Sequence, residues 1–324
     1  MCTAISYTYK KHYFGRNLDL NYPVVPSFVF VPRNYEIKFK SLNSLKKHKA
    51  IYGIGLAKFN YPFMFDCANE DGLCFAGLNF PSNAVFNKVK DDKINLAPYE
   101  LCLYLLGKYS SIKEVKEALK DISISDIPFN EYLPLSTLHY IMSDKEECIV
   151  IEQTKEGLKV YDNQYGVLTN NPPFYYHALN VNNYMNLTPK EPTNTFAKDL
   201  KLVNYGKAMG AIGLPGDSSP SSRFIKATYL LHNVNKYEED YKNVNEAFHV
   251  LNNVSTLKGE SVMGDGSQEY TIYTSVYSAS NNELYVRTYD DQELTMFNLA
   301  KEDLNSEYIN TYDISFTQKV SEIN

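Results

Sequence analysis

Residues 3–8 alternate strictly, with Thr3, Ile5 and Tyr7 on one side and Ala4, Ser6 and Thr8 on the other, the period-two pattern of a strand. Lys10 and Lys11 then offer a turn, and His12-Tyr13-Phe14-Gly15 begins a return strand. A turn centred between the two lysines predicts that Cys2 pairs with Asp19 across an antiparallel hairpin. Further strand patterns cover 51–59, 62–68 and 73–80, the last following the turn signal Asn69-Glu70-Asp71-Gly72. Helical spacing covers 97–109 and 111–119, and Ser111 with Glu114 spells a capping box. Strands are predicted again over 138–143, 147–154 and 158–163, and helices over 175–185, 223–233 and 244–253. A closing meander covers 270–279, 284–289 and 294–299, with a turn at Asn281-Asn282. Strand blocks separated by helical blocks predict an α+β fold whose helices cover sheet faces.

No linker, charge block, low-complexity tract or repeat interrupts the 324 residues, so 1–324 reads as a single domain. Composition is that of a globular enzyme, 44% hydrophobic and 22% charged. A net charge of −6, with the signs interspersed, argues against a nucleic-acid partner or an anionic membrane surface. The N-terminus has no basic start followed by an apolar core, and no apolar run approaches the ~20 residues of a membrane span. The five cysteines, at 2, 67, 74, 102 and 148, include no CxxC pair and are odd in number. Reduced thiols in a cytoplasmic protein explain them better than a disulfide framework. No two of the six histidines have metal-ligand spacing, so a metal site is not expected.

Cys2 changes the picture. Once Met1 is removed, one residue presents a thiol nucleophile and an α-amine able to take and return protons. Four polar segments could serve it. Gly15-Arg16-Asn17-Leu18-Asp19 returns on the hairpin, bringing a cation for a thiolate and a carboxylate for an amine, although a surface ion pair would look the same. Ala76-Gly77-Leu78-Asn79-Phe80-Pro81 ends a strand on an amide able to face an oxyanion, or on an ordinary Asn turn. Leu168-Thr169-Asn170-Asn171-Pro172 is a second Asn-rich strand exit, with either asparagine eligible. Gly213-Leu214-Pro215-Gly216-Asp217-Ser218-Ser219-Pro220-Ser221-Ser222-Arg223 is a loop opening a helix, whose serines are cap candidates. It lacks the Gly-x-Ser-x-Gly elbow that a serine nucleophile would need.

In order and over essentially the whole chain, MCTAIS, GRN with Asp19, AGLNFP, LTNNPPF and GLPGDSSPSSRF resemble the choloylglycine hydrolase family of bile salt hydrolases and penicillin V acylases. The resemblance implies an N-terminal nucleophile hydrolase fold, a four-layer αββα sandwich of two packed antiparallel sheets. It implies that Cys2 is the nucleophile, Arg16 favours its thiolate, Asp19 anchors the α-amine and Asn79 supplies an oxyanion donor. Asn170, with Asn171 as competitor, would support the amine and the tetrahedral intermediate, and Arg223 would hold the polar network together. It further implies a homotetramer, with 182–194 as the candidate contact, a small-molecule amide substrate such as a conjugated bile acid, and a hydrolysis that needs neither a metal nor an organic cofactor. Apolar walls for an acyl group are offered by Tyr22 and Val25 within 22–28, by Phe59 and Phe63, and by Phe129, Leu133 and Leu135; core packing would account for the same residues. Asn79 leans towards bile salts, because some penicillin V acylases carry Tyr there, whereas Pro220 leans towards the acylases. An acyl-homoserine lactone acylase and a non-catalytic binding protein that keeps the pocket are the remaining alternatives.

Overall fold

In the computed structural model, which describes residues 1–324, the alternating N-terminal residues form β1 (Cys2–Tyr9), and β2 (Lys11–Leu20) returns beside it. Lys10 alone makes the turn, at φ 58°, so Cys2 faces Leu18. The expected pairing with Asp19 is off by one residue because the turn holds one residue fewer than two lysines would make it.

The next strands are β3 (Ser27–Val31), β4 (Ile51–Lys58), β5 (Tyr61–Asn69), β6 (Cys74–Asn79) and the short β7 (Ile94–Leu96). Helices α1 (Leu101–Lys108) and α2 (Ile112–Leu119) precede β8 (Ile122–Ile124), β9 (Leu138–Ser143), β10 (Cys148–Thr154), β11 (Gly157–Asp162) and β12 (Val167–Leu168). Helices α3 (Phe174–Asn180), α4 (Pro220–Asn233) and α5 (Asp240–Asn252) follow. The chain closes with β13 (Ser261–Val262), β14 (Gln268–Ser278), β15 (Glu283–Thr288), β16 (Thr295–Asn298) and β17 (Asn310–Asp313). The Ser111–Glu114 capping box starts α2 as its sequence predicts. Strand β3 was not anticipated: the segment read as a loop-like wall becomes a strand at Ser27, and Phe28 is buried against Phe297.

Two antiparallel sheets result, ordered β12-β1-β2-β14-β15-β16 and β11-β10-β9-β6-β5-β4-β3-β17. Phe14, Tyr52, Ile141, Val150 and Tyr277 belong to one apolar cluster that joins the sheets. A second cluster, including Leu101, Leu105, Val115, Ile149 and Ile151, lies between the larger sheet and α1–α2. Helices α4 and α5 pack on β1, β2 and β14 of the other sheet. The layers are therefore αββα. Close approach of β2 to β14 requires Gly15, where a Cβ would lie 2.7 Å from the Ser275 carbonyl oxygen. No helix is long and apolar enough to cross a membrane.

His12 is buried on β2, with Nε2 3.0 Å from Ser143 Oγ and 3.3 Å from Ser6 Oγ. Burial pushes its imidazole down to about 4, against weaker pulls from the Gly72 carbonyl and Asp144. In the unfolded chain the same ring titrates near ~6.5. Its contribution is thus complete above that pH and is lost as pH falls through about 4. We expect it to account for roughly 3 kcal/mol of acid destabilisation. Urea unfolding at pH 7.5 and 4.5 checks this: His12→Gln should lose distinctly less stability over that interval than the parent protein. Equal losses would show that His12 does not contribute.

Candidate active site

The hairpin brings Arg16 beside Cys2. Both are buried, and Arg16 Nη2 lies 2.9 Å from Cys2 Sγ. The rest of the guanidinium is tied into the opposite sheet: Nη1 donates to the Phe65 and Gly77 carbonyls at 2.9 and 3.0 Å, and Nε lies 3.9 Å from Asp66 Oδ1. Burial works against the charge of Arg16, but Cys2, Tyr273, Asp66 and Asp19 outweigh it and hold the group above its ordinary range. Asp66 itself is fully buried, which pushes its carboxyl up, and Arg16 and three hydroxyls pull it back. Those hydroxyls all come from β14: Tyr273, Ser275 (2.8 Å) and Tyr277 (2.9 Å).

The main-chain atoms of Cys2 are held as firmly as its sulfur. Its N donates to Asn170 Oδ1 at 2.7 Å, and its carbonyl accepts from Arg223 Nη1. Arg223 also donates from Nη2 to Asn170 Oδ1 at 2.8 Å, from Nη1 to Thr3 Oγ1 at 2.6 Å and from Nε to the Ser218 carbonyl at 2.9 Å. Burial lowers its pKa against the pull of Asp19 and Cys2. Arg223 is aimed inward by the first turn of α4, where Ser219 caps the helix and Pro220 occupies the opening turn that tolerates proline. The carboxamide of Asn170 completes its bonding by donating to the Asn79 carbonyl at 2.8 Å. Asn171 points elsewhere, donating to the Pro81 carbonyl at 2.7 Å. Geometry thus separates the two tandem asparagines, which sequence alone did not.

Met1 is present, and its ammonium lies 3.4 Å from the Asp19 carbonyl and pairs with Glu269. Burial lowers the pKa of that ammonium, while Cys2 and Asp19 raise it. The Asp19 carboxylate accepts from Thr271 Oγ1 at 2.7 Å through Oδ1, but Oδ2 is buried with no partner. A buried, unpartnered carboxylate oxygen beside the N-terminus is set to take a cationic donor. Asn79, the last residue of β6, is exposed at the rim. Tyr22 is largely exposed, but partial burial of its phenol, and then Cys2, raise its pKa.

The expected apolar wall residues fall into two groups. Phe63 and Phe129 meet edge to face 4.8 Å apart, with Tyr61 and Tyr99 beside them, resting partly on the helix-side core, and Phe59 covers Phe129 from the solvent side at 5.8 Å. Tyr22, Val25 and Leu133 are exposed and Leu135 is half-buried. Sequence reasoning missed Thr3, Asp66, Thr271 and the β14 hydroxyls. The signal was present: Thr271, Tyr273, Ser275 and Tyr277 place a hydroxyl at every second residue, and Asp66 is a lone charge in the strand PFMFDCAN.

A family model for linear amide C–N hydrolases of the choloylglycine hydrolase family matches residues 2–312. The bile salt hydrolase/transferase of Lactiplantibacillus plantarum is 42% identical over 97% of each chain. The conjugated bile acid hydrolase of Lactobacillus gasseri is 40% identical over 96% of this chain and 100% of the relative. The structure of an alanine mutant of the conjugated bile acid hydrolase from Clostridium perfringens superposes with a TM-score of 0.93 at 37% identity, over 100% of both chains. A penicillin V acylase from Agrobacterium tumefaciens shares the fold, with a TM-score of 0.75 at 20% identity over 96% of this chain and 91% of that one.

Proposed function

The chain belongs to the choloylglycine hydrolase family of linear amide C–N hydrolases, and from that premise we propose that it cleaves glycine- or taurine-conjugated bile acids through Cys2. The observation that carries the reading is that Sγ, N and O of this one residue are each held by a different buried polar side chain, Arg16, Asn170 and Arg223.

Removal of Met1 turns the Cys2 peptide nitrogen into an amine. It keeps Asn170 Oδ1 as its acceptor and gains Asp19 Oδ2. The thiolate, stabilised by Arg16, attacks the amide carbon and a C–S bond forms. Asn79 and a backbone N–H receive the developing oxyanion, one such donor being worth about 2.7–4 kcal/mol. The α-ammonium passes a proton to the departing nitrogen as the C–N bond breaks, leaving a thioester and glycine or taurine. Water then attacks the thioester, gives its proton to the α-amine and releases the free bile acid. Arg223 balances charge around Asn170 and the Cys2 carbonyl. Tyr22, Val25, Phe59 and Leu133 are the walls we assign to the steroid, with Phe63, Phe129 and Leu135 behind them. Pro220, which leaned towards an acylase, has a sufficient reason in the opening turn of α4.

Amine release from glycocholate, taurocholate and penicillin V, with intact mass recorded, tests the reading. Rapid turnover of either bile salt by chains lacking Met1 is expected. Turnover of penicillin V alone would move the protein to the acylases, and turnover of none would sink the proposal.

We also propose a homotetramer in a reducing cytoplasm. The five free cysteines suit such a compartment. The connection between α3 and α4 leaves Phe196, Val203 and Tyr205 more than 80% exposed, an apolar cost that subunit contact would remove. Light scattering should give four chains for the parent and fewer for Phe196→Glu/Tyr205→Glu; a monomeric parent refutes the assembly.

A further inference from the structure

We propose that His139, Glu152 and His177 are positioning residues for this reaction, a buried layer that sets Asn79, Asn170 and Arg223 around Cys2; the inference rests on the site reading above. All three side chains are fully buried and none contacts Cys2, so they act through other residues.

The layer begins as a cross-strand pair. Ile151 of β10 faces Tyr140 of β9, and continuing that register by one residue sets Glu152 opposite His139. His139 Nδ1 lies 3.0 Å from Glu152 Oε1, and Nε2 lies 2.8 Å from the Thr169 carbonyl. Each ring nitrogen therefore faces an oxygen acceptor, and Glu152 Oε1 accepts the Phe174 N–H as well, at 2.9 Å. Both ring nitrogens are thereby engaged, and the contact with Glu152 fixes the orientation of the ring. His177 is bonded differently. Its Nε2 donates to the Asn170 carbonyl at 3.0 Å, and its Nδ1 is buried without a partner, which makes it a neutral ring.

Ring stacking extends the layer to the other two site residues. His139 lies flat on Phe80, with centroids 4.2 Å apart and planes 7° apart, and Phe80 directly follows Asn79. His177 lies on Phe224 at 4.8 Å and 13°, and Phe224 directly follows Arg223. The two ring edges thus hold the consecutive carbonyls of Thr169 and Asn170, while the two ring faces press on the neighbours of Asn79 and Arg223. Three residues delivered by a strand end, a strand exit and a helix start share one support. Displacement of this support moves the groups that meet the oxyanion and the amine, without touching the acyl pocket. Its loss should therefore appear in kcat and leave KM in place.

The test uses the full chain with Met1 removed, glycocholate as substrate, and kcat expressed per Cys2 that reacts with iodoacetamide. Glu152→Gln weakens the acceptor shared by His139 and the Phe174 N–H, and we expect kcat to fall at least tenfold with KM within threefold. His177→Phe keeps a ring on Phe224 but removes the donor to Asn170, and we expect the same split. Should Glu152→Gln fail to fold, His177→Phe decides by the same criterion. A kcat per reactive thiol within threefold of the parent, or a loss carried by KM, overturns the proposal. Cys2→Ala run alongside separates the two levels: activity surviving in it would discard the site reading itself.

Discussion

A chain that keeps Met1, or carries any residue ahead of Cys2, is expected to lose at least about 10³-fold in kcat/KM on conjugated bile acids. Its thiol should still react with iodoacetamide. The reason lies in what changes and what stays. Arg16 remains 2.9 Å from the sulfur in a chain that includes Met1, so thiolate stabilisation does not depend on a free N-terminus. The Cys2 nitrogen, by contrast, is then an amide whose lone pair is delocalised and cannot carry protons between thiol, leaving amine and water. Parallel measurement of turnover and alkylation on processed and extended chains separates nucleophile from proton carrier. Turnover by the extended chain at a rate near that of the processed one would place the base elsewhere.

Arg16→Met should cost about 3–5 kcal/mol of stability and abolish most activity, because it leaves Asp66 as a buried carboxylate without its cation. Adding Asp66→Asn should restore most of the stability and none of the activity. The three β14 hydroxyls that now donate to Asp66 can donate equally to the amide oxygen of asparagine, and no uncompensated charge remains. Activity stays lost because nothing then contacts Cys2 Sγ from that side. Denaturant unfolding and turnover of the two single variants and the double variant form a cycle. A double variant no more stable than Arg16→Met would mean that Asp66 answers to its hydroxyls alone.

The fold was legible where short apolar, β-branched or aromatic runs are bounded by turn residues. Strands β9, β10 and β14 lie within two residues of the runs that predict them, although they are buried on both faces and do not alternate strictly. Strands β3 and β17 escaped notice because each is five residues or fewer, too short for a period to show. The hairpin register failed by one residue for a local reason: the left-handed Lys10 makes a turn that no glycine announces. The six polar residues we propose for the site stood out as motifs, but not which of Asn170 and Asn171 turns inward. That depends on Arg223, 53 residues further on, and on the carbonyl of Asn79, 91 residues back. Supports such as Asp66 and His139 were silent for a related reason: a lone buried polar side chain has no meaning in sequence until its partner strand is known.

The same long spans order events during synthesis. Cys2 is among the first residues made, yet it meets Asn170 168 positions later and the Arg223 guanidinium 221 positions later. Asp19 waits for Thr271, 252 positions away. At ~5–20 residues per second, roughly 15–50 s separate the appearance of the thiol from that of the strand that completes its surroundings. Throughout that interval the hairpin end carrying Met1 has no β14 to close over it. The order of synthesis thus leaves the N-terminus open, and Cys2 without its full surroundings, until the last long strand has left the ribosome.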